Sequence, residues 1–433
     1  MVLCLAKTNV KKMVNKWFLA FQKVTELVHL NAPAWHRLGL MQDQLGRAAE
    51  ASDNYRKSLE LDSDQPTAWN DLGYNLYLRE LWKPTESAFQ NAIQLAQGNI
   101  QKFHESQISK TKIVETQKGV KCWRETRPIN NVGLYIPGGS APLFSTLLML
   151  AIPAKIAGVK NIFVSTPPNK QGGVDPEILY VAKLIGINEI FSVGGIQAIA
   201  AFALGTETIP SVDKIFGPGN QFVTSAKAYA QKKGVAIDML AGPSELFVVA
   251  DNTANPQFVA ADLLSQAEHG TDSQVILASD SEMLLRKVND ICIDLIKTLP
   301  RKKIAKKSLS KSRLVLMSSI ENCIELSNFY APEHLIIACH NARTLRSKIS
   351  NAGSVFLGNF SCESAGDYAS GTNHALPTGG TAVAQSGVSV ESFQKKNSFQ
   401  TVSKEGLENL GPSIKAMANA EGLQGHALAV DIR

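Results

Sequence analysis

The sequence is poor in cysteine, with six in 433 residues, at positions 4, 122, 292, 323, 339 and 362 and with no C-x-x-C pair. That scatter argues against a cysteine zinc site, a thioredoxin-type redox pair and a disulfide framework. The chain lacks any uninterrupted run of ~18 apolar residues, so no membrane-spanning helix is expected. Charge of one sign is scarce too: 44 Lys and Arg against 38 Asp and Glu leave a net +6. This falls well short of the basic footprint of a nucleic-acid binder. The first 30 residues have no long apolar stretch to serve as a secretory signal, because Lys7, Lys11, Lys12 and Lys16 interrupt it. They have no acid before Glu26, which fits an organellar transit peptide, but no arginine either, which does not. They read as an amphipathic helix, and the expected location is cytoplasmic. Apolar residues are plentiful, at 44% against 19% charged, which excludes wholesale disorder. The length allows two to four domains of ~100–200 residues each.

The first ~100 residues differ in kind from the rest. They hold four of the five tryptophans and read as helices throughout. Trp35 recurs as Trp69, Leu38-Gly39 as Leu72-Gly73, Tyr55 as Phe89 and Leu61 as Leu95, each 34 residues on. Phe21 and Leu27 form a weaker third copy. This period resembles the tetratricopeptide repeat, in which each helix pair covers its apolar stripe only with a neighbour. Residues 1–100 are therefore expected to form a repeat-like helical segment, either an ordinary helical hairpin array with no bound partner or one whose concave face takes a protein partner.

From about residue 130 the pattern alternates between strand and helix. Short β-branched runs occur at 161–165, 245–250, 274–278, 313–317, 335–339 and 354–358, with helical stretches such as 197–204 and 256–268 between them. The reading is α/β with mostly parallel sheets. Glycine turns stand at 137–140 (PGGS), 194–195 (GG), 217–220 (GPGN) and 241–244 (AGPS). FGPGN follows a strand and precedes a helix at 221–232, where a helix N-terminus favours an anion such as a nucleotide phosphate. Tight turns alone would account for the same glycines. The basic run at 301–313 reads as a solvated helix or loop, with no nucleic acid implied.

Eight histidines are present, and their surroundings separate them. His29, His36, His104 and His340 read as structural. Gln266 and His269 in SQAEHG lie three apart at a helix end, a spacing that puts both on one face. Glu333 and His334 in APEHL stand side by side at a strand start, suited to paired acid–base work. Asp367 and His374 lie in a Gly/Thr-rich loop, and Glu421 and His426 near the chain's end. Gln266, His269, Asp367 and His426 make a nitrogen and oxygen ligand set without thiolate, appropriate to Zn²⁺ or Mn²⁺. Spacing does not establish that these four meet in space.

The blocks NIQKFHESQ, VGLYIPGG, GPGN, AGPSE, DLLSQAEHG, YAPEHL, SAGDYASGTNHALPTGG and AEGLQGHALAV, in this order, resemble the histidinol dehydrogenase family from about residue 100 to 433. The resemblance implies oxidation of L-histidinol through L-histidinaldehyde to L-histidine, the last steps of histidine biosynthesis, with reduction of two NAD⁺. By position, Glu333 would activate the water that attacks the aldehyde, and His334 would be the general base. Gln266, His269, Asp367 and His426 would ligate one Zn²⁺ per subunit. Ser244 and Glu421 would contact substrate together with those six residues. Tyr135, Gln197 and Asn220 would contact NAD. The resemblance also implies a homodimer with a shared active site, to which the partner subunit contributes its C-terminal segment.

The implied plan is two Rossmann-like domains behind the helical segment 1–100. A discontinuous substrate and zinc domain spans 101–134 plus 241–388, an NAD domain 135–240, and a C-terminal dimerisation tail 389–433. Two departures from the family stand out. Its usual N-terminal ~100 residues are not recognisable, and TGGTAVAQSG at 378–387 lacks the aromatic residues expected there. The alternative reading is a catalytically impaired fusion that acts through the helical segment.

Overall fold

A computed structural model describes residues 2–65, 67–69, 71, 72, 75, 82–138, 142–169, 172–240 and 242–433. Gly73, Gly139, Ser140 and Ala241 of the sequence motifs lie outside the described residues, as do the side chains of Lys7, Lys11, Lys12 and Trp82. The chain divides into two compact units, Met1–Phe103 with Phe360–Asn373, and His104–Asn359 with His374–Arg433.

The first unit is helical, with elements at Val2–Leu27, Ala32–Gln44, Ala48–Leu61, Trp82–Glu105 and Glu363–Tyr368. The second helix starts where Asn31 Oδ1 accepts from Ala34 N at 3.0 Å and Pro33 sits in the first turn, both standard start signals. Gly39 lets the second and third helices approach closely. A Cβ there would fall 2.6 Å from the Tyr55 ring. Tyr55 is fully buried and donates its hydroxyl to Asp43 at 2.7 Å. Two indoles repeat one contact: Trp35 Nε1 donates to His29 O at 2.9 Å and Trp69 Nε1 to Ser63 O at 3.0 Å. The segment 360–373 joins this unit through Asn99, whose Nδ2 donates to Ala369 O at 2.9 Å. Gly371 (φ +110°) packs so closely on the Asn99 carbonyl that a Cβ would lie 2.7 Å away.

Among the described residues the second unit contains three sheets. Strands β1 (Val114–Gln117), β2 (Val120–Pro128), β3 (Asn131–Tyr135), β4 (Asn161–Ser165), β5 (Ile190–Phe191), β6 (Lys214–Phe216), β7 (Ala236–Ile237), β8 (Glu245–Ala250), β9 (Gln274–Ser279), β10 (Arg313–Leu316), β11 (His334–Ala338), β12 (Ser354–Leu357) and β13 (Gln394–Val402) follow in chain order. The first large sheet has order β5-β4-β3-β6-β7 and the second β10-β9-β8-β11-β12. All neighbours within each are parallel. The α/β reading with parallel sheets therefore holds, and each of the six apolar runs is a strand to within one residue. The central strand β8, ELFVVA, is buried at every position, as expected for a sheet covered on both faces. Burial of each large apolar side chain there contributes about 1.5–3 kcal/mol. The third sheet, β1-β2-β13, is antiparallel. Its β13 pairs with β2 over nine residues, from Gln394–Pro128 to Val402–Val120. The segment after residue 389 thus begins as a strand of this chain's own sheet and continues as the helices Lys404–Ala420 and Gln424–Asp431.

Among the described residues no helix is long and apolar enough to cross a membrane. The basic run at 301–313 forms the short helix Lys302–Leu309 and leads into β10.

Candidate active site

Glu333 and His334 are placed by the entry into β11. The helix Ile320–Tyr330 ends at Ala331, which has φ +52°. Among the described residues it is the one non-glycine with positive φ. The left-handed residue reverses the chain and delivers Pro332, Glu333 and His334 to the start of the strand. Ser354 N donates to Glu333 O at 2.9 Å, and Gly353 leaves room for that carbonyl, since a Cβ would lie 2.6 Å from it.

β8 runs beside β11, with Leu246 opposite His334. The first residue of β8, Glu245, therefore organises the pair. Its amide donates to Glu333 Oε2 at 2.9 Å, and its carbonyl oxygen lies 3.3 Å from His334 Nδ1. A ring protonated on Nδ1 donates to that carbonyl and keeps Nε2 as the basic nitrogen, the tautomer a general base needs. Glu333 and His334 are 7% and 4% exposed, with Glu333 Oε2 3.7 Å from His334 Nδ1.

Glu245 itself was not singled out from the sequence. Burial raises its carboxyl above the usual range, and a bond from Gly379 N to Oε1 at 3.1 Å partly offsets this. The one available signal was a carboxylate opening an otherwise apolar strand. Thr378 accepts a hydrogen bond from Gly242 N, so TGG of the departing loop 378–387 is tied to the start of β8. Ser244, half-buried, immediately precedes Glu245. His374 Nε2 lies 3.3 Å from Thr146 Oγ1.

Gln266 and His269 stand at the end of the helix Pro256–Ala267. Gln266 is fully buried within it, and His269 lies past its last residue and is exposed. The helix's last residue falls between them, and the His269 amide still donates to Gln266 O at 3.2 Å across its closing turn. In the first unit Asp367 shares the short helix Glu363–Tyr368 with Glu363, which sequence reasoning missed. The two carboxylates are one turn apart, with oxygens within 4.8 Å of each other. Amide, imidazole and carboxylate donors of this kind suit zinc. Glu421 and His426 are exposed on the C-terminal helical segment, and their side chains make no hydrogen bond or ion pair among the described residues.

The second cluster lies in the other sheet. β3 and β6 are neighbours there, while the chain leaves β3 toward β4 on one side and β6 toward β7 on the other. The crevice beyond the carboxyl ends of two such strands is where doubly wound folds hold nucleotides. Tyr135 ends β3, and its hydroxyl accepts from Gly195 N at 3.1 Å. Gly217 follows β6 at φ +124°, so close that a Cβ would lie 2.0 Å from Tyr135 O. Asn220 caps the helix Gln221–Lys232, its Oδ1 accepting from Phe222 N and Val223 N at 3.1 Å each. The amides of Gly219, Asn220 and Gln221 make no hydrogen bond among the described residues, as required of an anion-binding helix start. Gln197 is exposed in the first turn of the helix Gly195–Leu204.

The histidinol dehydrogenase family model matches residues 57–433. The chain belongs to the histidinol dehydrogenase family. The match starts at residue 57 rather than near 100, so part of the helical segment lies within the family's extent. A histidinol dehydrogenase of Bacteroides fragilis is 55% identical over 356 residues, 82% of this chain and 83% of the relative. One from Mannheimia succiniciproducens is 54% identical over 344 residues, 79% of each chain. The crystal structure of histidinol dehydrogenase from Elizabethkingia anophelis is 60% identical, with a TM-score of 0.79 over 79% of each chain. Family membership makes the chain an oxidoreductase.

Proposed function

We propose that this chain oxidises L-histidinol through L-histidinaldehyde to L-histidine with reduction of two NAD⁺, and that it works in the cytoplasm. The observation that carries the reading is the Glu333–His334 pair at the start of β11, organised by Glu245, in a chain 55% identical to a named histidinol dehydrogenase. Gln266, His269, Asp367 and His426 would hold one zinc ion per subunit, and Tyr135, Gln197 and Asn220 would hold NAD. The metal supplies an anchor for the substrate's imidazole and amine, and the nicotinamide supplies the hydride acceptor. His334 takes the alcohol proton in the first oxidation. Glu333 takes a proton from the water that adds to the aldehyde carbon, and His334, having passed its first proton to solvent, takes the hydroxyl proton of the hydrate in the second oxidation.

Ser244 and Glu421 complete the substrate contacts. The exposed, unengaged side chains of Glu421 and His426 are consistent with a homodimer in which the C-terminal helices enter the partner subunit's site. The impaired-fusion alternative is not favoured, because the identity runs through the catalytic part of the chain. For the N-terminal helices, the tetratricopeptide-like reading is supported by the repeated indole bond of Trp35 and Trp69. They would present a face to a protein partner, and a bait of residues 1–100 that retains no specific protein would count against it.

NADH formation from L-histidinol by the zinc-loaded chain tests the main reading. Two NADH per histidinol, lost in His334→Asn, is the expected result. One NADH per histidinol, or none from folded protein, overturns it.

A further inference from the structure

The cofactor turn after β6 is held from behind by two buried charges that no role above uses. Lys227 and Asp238 are 2% and 3% exposed at their side chains and form an ion pair with each other. Lys227 projects from the helix Gln221–Lys232, and Asp238 follows β7. Both grip the peptide groups of one residue. Gly217 N donates to Asp238 Oδ2 at 2.7 Å, and Lys227 Nζ donates to Gly217 O at 2.9 Å. Asp238 Oδ1 also accepts from Met239 N at 2.6 Å.

Gly217 is the position where conformation is most constrained. Its φ of +124° and its contact with Tyr135 O leave no room for a side chain. A backbone so placed needs surroundings that hold it. With its N–H and C=O both turned to the buried pair, the turn presents the next amides, those of Gly219, Asn220 and Gln221, outward at the helix start. Burying two charges costs several kcal/mol per ion unless geometry and hydrogen bonds compensate. Here two of the three further bonds go to the Gly217 peptide groups, and the third comes from Met239 N.

We infer that Lys227 and Asp238 are positioning residues for the dinucleotide: they fix the Gly217 peptide so that the following amides meet the pyrophosphate. This rests on the proposed cofactor site, and it adds residues that touch neither cofactor nor substrate.

The test uses the full zinc-loaded chain and NADH fluorescence titration alongside steady-state kinetics. Lys227→Met is expected to raise the NADH dissociation constant and the KM for NAD⁺ about tenfold or more, equivalent to about 1.4 kcal/mol. The KM for histidinol should stay within about twofold, a split that general loosening of the fold would not produce. Lys227→Arg, which keeps charge and reach, is expected to recover part of the loss, and Asp238→Asn to shift NAD⁺ in the same direction. Should Lys227→Met fail to fold, these two variants carry the same comparison. NADH affinity unchanged in the folded variants, or parallel losses for NAD⁺ and histidinol, overturns the inference. Asn220→Ala and Gln197→Ala separate the two levels. If they leave NADH binding intact, the cofactor site itself is wrong. If they weaken binding while the Lys227 and Asp238 variants do not, only the positioning role falls.

Discussion

The two large sheets have the same strand order and direction, yet they present their chemistry at opposite ends. In β5-β4-β3-β6-β7 the assigned groups lie beyond the carboxyl ends of the inner strands, with Tyr135 closing β3 and Gly217 following β6. In β10-β9-β8-β11-β12 they lie at the amino ends, with Glu245 and His334 opening β8 and β11. At the carboxyl end of β8 in the second sheet a carboxylate is engaged with the chain's own donors. Asp251, just past β8, accepts from His340 N at 2.9 Å, Thr253 N at 2.9 Å and Thr253 Oγ1 at 2.5 Å. A carboxylate there takes up donors that would otherwise meet an anion. Strand order thus offers a place, and the residues at the strand ends decide whether it is used.

The largest expected effect tests the amino-end assignment. Glu333→Gln keeps the acceptor for Glu245 N and removes the base, so the fold should survive. The expected loss in kcat is about 100- to 10,000-fold, with the KM for NAD⁺ within about twofold. If kcat holds and only cofactor affinity falls, the division of labour between the two sheets is broken.

A matched pair of variants then compares the two crevices. Gly217→Ala places a Cβ against Tyr135 O in a backbone region that alanine avoids. It is expected to cost about 3 kcal/mol or more in denaturant unfolding and to weaken NAD⁺ binding. Asp251→Ala removes the acceptor of three hydrogen bonds and is expected to cost about 1–3 kcal/mol. It should leave the KM for NAD⁺ unchanged if the cofactor sits at the first sheet as proposed. A change in cofactor affinity in Asp251→Ala would mean that both carboxyl ends matter.

The inner strands β4, β8, β9 and β11 were legible in the sequence because burial on both faces demands β-branched runs, as in ELFVVA and LIIAC. The edge strands β10 and β12 showed as runs too, whereas the inner strands β3 and β6 were not among the runs. The edge strands β5 and β7, two residues each, carry too little pattern to show. β13, QKKNSFQTV, is largely exposed and owes its extension to pairing with β2. Among the candidate site residues, Glu333, His334, Gln266, His269, Asp367 and the glycine turns drew attention because they stand in dense motifs. Glu245 and Glu363 were missed because their roles depend on neighbours far away or on the helix register. The Lys227–Asp238 pair was equally hidden, since nothing in the sequence says that either charge is buried. Grouping of 360–373 with the N-terminal helices depends on Asn99 and Gly371, separated by most of the chain.

The smallest expected effect concerns Ala331, where the amino-end site depends on backbone shape alone. A left-handed alanine costs about 1 kcal/mol relative to glycine, and this one is fully buried between the helix Ile320–Tyr330 and β11. Ala331→Gly relieves the strain but frees the unfolded chain and removes a buried methyl. The net change in unfolding free energy is expected to be below about 1 kcal/mol in either direction. Its effect on catalysis is more informative than its effect on stability. If the alanine serves only to turn the chain, glycine turns it equally well and kcat is unchanged. If the methyl braces Pro332 and Glu333, kcat falls severalfold while the KM for NAD⁺ stays constant, because the carboxyl-end site of the other sheet does not contain this turn.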